Sequence, residues 1–347
     1  FWVEESILRR QTRRKIVKKS LSLFLVLFLS CLLVVACGKK AASPTAGSAK
    51  GEDMLSLFPK DTRGLIVIDV HRIMQTGPVT KAIQEGQNKQ KYDEFVTETG
   101  IDPQKDVYFF AAGMMGDFNQ KNPDGAAVIN LKYDKAKILE LVQKKRGELT
   151  TTEYNGVTIY QAPPGEDNKP VAGVFLDQSN ILVGADAAVK KVIDVYQKKA
   201  DNIWKNEQMP TLLKGMNTSA MVWGGMSIPP DALKQAASSN PMLGSFSDIQ
   251  SVVLSFDFRD NNMLVEIKAM SPDPNKNKQM ADALNGFKAL GAGAAAKEPL
   301  VGELLNKIDI SSAADNVKIS ASIPNDLLQS LGDKMKSKKA EPQQEEK

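Results

Sequence analysis

The sequence predicts an α+β protein of two βαββαβ-type (ferredoxin-like) modules, antiparallel sheets with helices on one face, at residues 54–200 and 215–336. Two observations predict it. Each half runs strand, helix, two strands, helix, strand, helix, and the pieces Asn180–Tyr196 (NILVGADAAVKKVIDVY) and Asn316–Gly332 (NVKISASIPNDLLQSLG) correspond in pattern. Apolar periodicity then lapses between Ala200 and Gly215, which sets the module boundary there.

In the first half, Leu65–Val70 is an almost continuous apolar run, as in a buried central strand. A helix follows with Val79, Ala82 and Ile83 on one face, then another carrying Tyr92, Phe95 and Val96 that Gly100 stops. The aromatic Val107–Ala111 and the segment Ala126–Tyr133 read as strands, joined by a loop with Asn122-Pro123-Asp124-Gly125. Ile138, Leu139, Leu141 and Val142 mark a helix. Asn155-Gly156 turns a hairpin of Glu148–Tyr154 with Val157–Gln161. Val171–Leu176 and Ile181–Val183 are strands, and Asp186 caps a helix bearing Val189, Val192, Ile193 and Tyr196.

The second half starts with the strand Ala220–Met226, followed by a helix that Pro230 opens, with Leu233 and Ala236–Ala237. Val252–Phe258 and Met263–Met270 form a hairpin turned at Asp260–Asn262. Met280, Leu284 and Phe287 mark one helix and Leu300–Ile308 another, before the strand Val317–Ile323 and a closing helix with Leu327, Leu328 and Leu331. Apolar Val252, Leu254, Phe256 and Phe258 alternate with Ser251, Val253, Ser255 and Asp257, so this sheet has one apolar and one largely polar face. The apolar stripe is expected to face Leu284, Phe287 and Leu328 in one core. The face with Ser255, Asp257, Glu266, Lys268 and Lys318 is expected to be wet or to lie against the first module as a docking surface.

Charge and composition narrow the function. The formal net charge is +4, but residues 1–36 hold seven basic and two acidic residues, leaving a net of about zero elsewhere, which argues against nucleic acid. The cysteines are Cys31 and Cys37, both near the front, so no disulfide staples the body, and a single histidine, His71, excludes His-rich metal sites.

His71 follows Asp69 and precedes Arg72. An Asp–His pair could orient an imidazole as a base, yet no nucleophile signature accompanies it, and a structural histidine is the stronger reading. Leu290–Ala296 contains a G-x-G-x-x-A string, but it follows a helix rather than a strand and reads as a flexible, helix-ending connection. Met216, Met221 and Met226 around Trp223 read as core filling rather than a copper site. Asp117, Asn119 and Asp124 lack calcium-loop spacing, and Asn217-Thr218-Ser219 is a sequon of little weight. No catalytic, cofactor-binding or metal-ligating residue is assigned.

The front end is the strongest signal. Residues 1–36 read as a signal peptide, with residues 1–16 upstream of a start at Val17. Lys18 and Lys19 precede the uncharged run Leu21–Ala36, sixteen residues, shorter than the ~20 of a spanning helix. The run ends Val34-Val35-Ala36-Cys37-Gly38, which resembles the lipobox of bacterial lipoproteins. There, signal peptidase II cuts before a cysteine thioether-linked to diacylglycerol. The family prefers Leu where Val34 stands. The resemblance implies that Cys37 becomes the lipidated N-terminus of the mature protein. Cys31 is excluded because its use would cut the apolar run to ten residues. Gly38 is not the Asp that resembles an inner-membrane retention signal, which favours the outer membrane, periplasmic face, in a two-membrane cell. Residues 37–53 then form the lipidated cysteine and a flexible linker spanning roughly 22 Å, and 337–347 form a disordered tail.

The body resembles exported bacterial proteins of a domain-of-unknown-function class. Leu57–Thr62 (LFPKDT) ahead of the first strand and Thr99–Asp106 (TGIDPQKD) ahead of the second carry that resemblance, which implies no defined activity.

The expected function is a membrane-tethered envelope lipoprotein with a non-catalytic binding or scaffold role. Its partners would be the membrane, through Cys37, and an envelope protein or apolar ligand. The alternatives are a carboxylate-dependent envelope enzyme and a carrier of an apolar ligand between the two modules.

Overall fold

The computed structural model describes residues 50–116, 124–163, 171–229, 231, 233–234, 238, 241–295 and 298–340. The expected signal peptide, Cys37, most of the expected linker, Asp117, Asn119, Pro230, Ala236–Ala237 and residues 341–347 lie outside the described residues.

The strands are β1 (Thr62–Asp69), β2 (Val107–Met115), β3 (Asp124–Leu131), β4 (Thr150–Tyr154), β5 (Val157–Ala162), β6 (Val171–Phe175) and β7 (Asn180–Gly184) in the first half. The second half has β8 (Val222–Ser227), β9 (Ser251–Arg259), β10 (Asn262–Met270), β11 (Ile308–Ser312) and β12 (Asn316–Pro324). They form one twelve-stranded sheet in the order β11-β12-β10-β9-β8-β1-β2-β3-β7-β6-β5-β4, antiparallel at every pair.

The α+β class and the antiparallel pairing hold. Two separate ferredoxin-like sheets do not form, because β1 pairs with β8 as well as with β2. β1 is apolar on both faces and needs a neighbour on both edges. Element order alone does not say which strand supplies the second one.

The halves nevertheless run in parallel order outward from the β1–β8 seam. β1-β2-β3 and β8-β9-β10 each step outward as neighbouring strands. A helix then crosses to a more distant strand, and the chain steps back inward until β7 lies on β3 and β12 on β10. In the second half this leaves β10 and β11 parallel on either side of β12, a split βαβ unit. The first half adds the β4–β5 hairpin, whose turn residues Asn155 and Gly156 have φ of 52° and 77°. Asn180–Tyr196 and Asn316–Gly332 fall on equivalent places, β7 and β12 with the helices that follow.

The helices are α1 (Gly51–Leu55), α2 (Val70–Met74), α3 (Gly77–Gln84), α4 (Gly86–Thr99), α5 (Pro103–Asp106), α6 (Lys135–Arg146), α7 (Asp186–Tyr196), α8 (Met209–Gly215), α9 (Pro274–Ala294), α10 (Pro299–Asn306) and α11 (Asn325–Ala340). Helices on one face only were expected. In the first half they cover both. On one face α1, α7 and α8 pack over Val67, Val128, Leu182 and Trp223. On the other, α2, α4 and α6 pack over Ile66, Ile68, Phe110 and Ile181. The Ala200–Gly215 link belongs to the first of these cores, with Ile203, Met209 and Leu212 all buried.

Several boundaries differ from expectation. Gly51–Asp53 of the expected linker lie in α1, and residues 337–340 of the expected tail lie in α11. Ala185, not Asp186, is the N-cap of α7; Asp186 pairs with Lys190 at 2.7 Å one turn on. Ile308 opens β11 rather than ending a helix, because α10 stops at Asn306. Gly291 and Gly293 are inside α9, so the G-x-G string there is helical rather than a flexible connection.

Candidate functional site

The second half leaves an apolar sheet face partly open. Strand register fixes its composition. Leu254, Ile267, Ile319 and Ile310 stand in one cross-strand row, and Phe256, Val265, Ala321 and Ile308 in the next. Because side chains alternate between faces, both rows share the side that carries Ile66 and Ile68 in the first half. A third row, Val252, Ala269 and Val317, is closed over by Met280, Ala281 and Leu284 of α9 and by Phe246 and Ile249.

Ile310 also packs into this cluster, but the rest of the two upper rows does not. Leu254 is 37% exposed, and every residue of β10 remains half-buried. α9 runs beside this opening over β11 and β12. Its Asn285 Nδ2 and Lys288 Nζ donate to the carbonyls of Ile310 and Ile308, which turns that flank toward the edge strand. Phe287 and Leu290 stand about 100–200° round the helix from Lys288. They are 45% and 73% exposed, Leu290 on the outer side of the helix. Leu254, Phe256, Val265 and Ile267 form the floor of a trough beside α9, whose Phe287 stands on the trough side of Leu284 while Leu290 points outward.

On β9 the expected core forms only in part, where Val252 packs with Leu284. Ser251, Ser255 and Asp257 are buried, while Leu254 is exposed. The reason is the link that the sequence reading left as a boundary. Its helix α8 packs with Val253 and Trp223 on the polar-patterned face. Asp257 does lie against the first half, as one of the two expected outcomes: its Oδ1 is 3.3 Å from Arg72 Nη2, and its Oδ2 accepts from Arg259 Nε at 2.7 Å. Glu266 and Lys268 pair at 2.8 Å on the same face, and Lys268 also donates to the carbonyl of Gly215.

Arg72 also meets Asp69. The Asp69 Oδ1 accepts from the Arg72 backbone N–H at 2.9 Å and caps α2. His71 was placed at a strand end; it lies inside α2, with its ring 5.7 Å from that of Tyr108 and its Nδ1 buried without a hydrogen-bond partner. The Asp69 carboxylate is thus committed to Arg72, not to the imidazole. Burial raises the Asp69 carboxyl above its ordinary value, against the opposing pull of the Arg72 amide and guanidinium. Asp69 and Asp257 are therefore two carboxylates sharing one arginine.

The space between the halves has both charged and apolar walls, with Pro59, Ile228 and Pro229 among the latter. A cleft of about 740 Å³ opens at the far end of the seam, lined by Asp61, Arg63, Lys191, Asp194, Glu207 and Ser227 among others. Asp61 pairs with Lys191 at 2.5 Å, and Asp194 accepts from Tyr154 Oη at 2.9 Å and Asn155 Nδ2 at 2.8 Å.

The remaining sequence candidates have structural roles. Trp223 is buried against the first-half core, and Met226 pairs with Val252, on the opposite face of β8. Asn217 Oδ1 accepts from Ser219 Oγ and N in the turn before β8, and Asp124 begins β3. In Thr99–Asp106, Thr99 Oγ1 binds the Ile101 backbone, Gly100 takes the left-handed conformation, and Asp102 caps α5 while accepting from Tyr92 Oη and Lys105. Among the described residues, no group of three or more His, Cys, Asp or Glu is placed to hold a metal ion, and no helix is long and apolar enough to cross a membrane.

Fold and site together define an α+β protein on one continuous antiparallel sheet with an open apolar face. A family model described as "Protein of unknown function (DUF3352)" matches residues 71–296, and the chain belongs to that family. The match runs from α2 past the end of α9 and crosses the seam. It includes Thr99–Asp106 but not Leu57–Thr62. No curated protein matches the chain. Among solved structures, crystal form III of TP0453 is similar with a TM-score of 0.44 and 11% identity over 80% of this chain and 96% of that one. Crystal form I gives 0.43 and 11% over 81% and 97%.

Proposed function

We propose that the chain is a membrane-tethered lipoprotein of the bacterial cell envelope, anchored through Cys37, with a non-catalytic role in binding an apolar ligand or partner. In a two-membrane cell it faces the periplasm from the outer membrane. Its two halves, each built around a strand–helix–strand crossing, are copies of one ancestral module fused along β1 and β8.

The single observation that carries the binding role is the open trough. Apolar rows across β9, β10, β12 and β11 stay half-exposed while polar Ser255 and Asp257 are buried. Leaving large apolar groups in water forfeits roughly 25 cal/mol for each Å² of their surface, so a face of this kind marks a place for a partner.

Residues 38–347 contain every described element and are the chain to test. They are expected to bind a fluorescent apolar probe, N-phenyl-1-naphthylamine, with emission that rises on binding. Leu254→Glu should weaken binding at least tenfold with an unchanged circular dichroism spectrum. Probe binding that is undiminished by Leu254→Glu would place the ligand elsewhere and leave the trough without this role.

A further inference from the structure

Resting on that reading, we infer that the trough seats the acyl chains carried by Cys37 of the same molecule. The trough needs an apolar occupant, and the sequence places one close by. The described body begins at Lys50, thirteen residues after Cys37. Thirteen residues reach at most about 45 Å when extended. Gly51 sits beside Val67 and Trp223 at the seam, on the face opposite the trough. Leu254 is two strands away, on β9. Passing over the end of a nine-residue strand and back takes about 30 Å along the strand and ~10 Å across the sheet layer. The acyl chains add their own length to the reach of the backbone. A group tethered this closely is present at an effective concentration of order millimolar, above that of free lipid in water.

The chemistry of the trough suits saturated chains. Its floor is Leu254, Phe256, Val265 and Ile267, with Phe287 beside it and no charged side chain among them. The charged residues of β10, Glu266 and Lys268, are on the other face. A narrow strip two rows deep fits chains laid along the sheet. Occupied by its own lipid, the molecule can leave a membrane without exposing the acyl chains to water; vacated, it is anchored.

Two measurements on one preparation test this. The first compares probe affinity of the lipidated protein, freed of detergent, with that of residues 38–347. The lipidated form is expected to bind N-phenyl-1-naphthylamine at least tenfold more weakly, because its own chains hold the site. The second places the photo-crosslinker p-benzoylphenylalanine at Leu254, a position 37% exposed on the trough floor. Irradiation should join the β9 peptide to the lipid-bearing Cys37 peptide within a monomer, and Phe287→Glu should abolish the product. Equal probe binding by the two forms, or a crosslink confined to dimers, overturns the inference while leaving the trough as a site for another ligand. No probe binding by residues 38–347 overturns the inference and the binding role together. A Cys37 peptide of unmodified mass overturns the inference and the tether.

Discussion

The guanidinium of Arg72 lies 3.3 Å from the carboxylate of Asp257, a residue 185 positions further along the chain. Arg72 belongs to the helix after β1 and Asp257 to β9, so the contact crosses the seam between the halves. Arg72 Nη1 also donates to the Ser219 carbonyl at 2.9 Å, and the Asp69 amide donates to the Met221 carbonyl at 2.7 Å. Three contacts thus tie the start of one half to the other half. The two arginines on Asp257 keep 41% and 51% of their side chains exposed, so water compensates them in part when the carboxylate is removed. Asp257→Ala is expected to cost about 1–2 kcal/mol in urea unfolding. The transition should remain single, because both halves share one sheet.

Gly224 faces the same seam. A Cβ there would lie 2.4 Å from the Leu65 carbonyl oxygen and 2.9 Å from Ile66 Cα, both backbone atoms of β1. No side-chain rotation relieves that, so β8 would have to move from β1. Gly224→Ala should destabilise by about 2–3 kcal/mol or more. Gly302→Ala, within α10 where a Cβ meets nothing within 4 Å, should stabilise by about 0.5–1 kcal/mol. Thermal unfolding of the pair reads both signs in one experiment.

Burial gives a second contrast. Leu182 is fully buried between α7 and the sheet, so Leu182→Ala should cost ~2–5 kcal/mol. Leu254 is 37% exposed, and Leu254→Ala should cost less than about 1 kcal/mol in chemical denaturation.

Much of this fold was legible in the sequence. The runs Leu65–Val70 and Val107–Ala111, the Asn155-Gly156 and Asp260-Asn261 turns, and the helix stop at Gly100 each depend on local chemistry, and each occurs where that chemistry puts it. Pairing between distant strands is not local. Nothing in β1 or β8 names the other as its neighbour, so one sheet was read as two. The link was misread for a related reason: Ile203, Met209 and Leu212 are too widely spaced for a helical stripe, yet each fills a gap in a core made mainly by other segments. The trough was half legible. Alternation on β9 and β10 showed an apolar face, but which face stays open depends on where α8 and α9 pack. β11 was missed because Ile308 continues the apolar run of α10 without a break.

Asp69 gives a pH dependence whose sign follows from its burial. Its carboxyl titrates above the ordinary range in the folded chain, chiefly through desolvation, and at the ordinary value when unfolded. The folded chain therefore holds the proton more tightly. Stability from this group is present below the unfolded pKa, near 3.9, and is lost as pH rises through the folded one. Asp69→Asn keeps an oxygen to cap Arg72 N and removes the titration. It should leave stability at pH ~7 equal or higher by about 0.5–1 kcal/mol, a figure reduced for partial solvent screening. Urea midpoints taken from acid to neutral pH should fall less steeply with rising pH for the variant than for the wild type.

The account depends most on the anchor, and the mass of the N-terminal peptide tests it most directly. Protein isolated from cell membranes should begin at Cys37 and carry a diacylglyceryl group on that thiol. Cys37→Ser should lose the lipid and leave the membrane fraction in a high-salt wash, since two buried acyl chains at ~0.8 kcal/mol per CH₂ provide stable attachment. A wild-type Cys37 of unmodified mass, or a Cys37→Ser protein of wild-type mass that stays with the membranes, would contradict it.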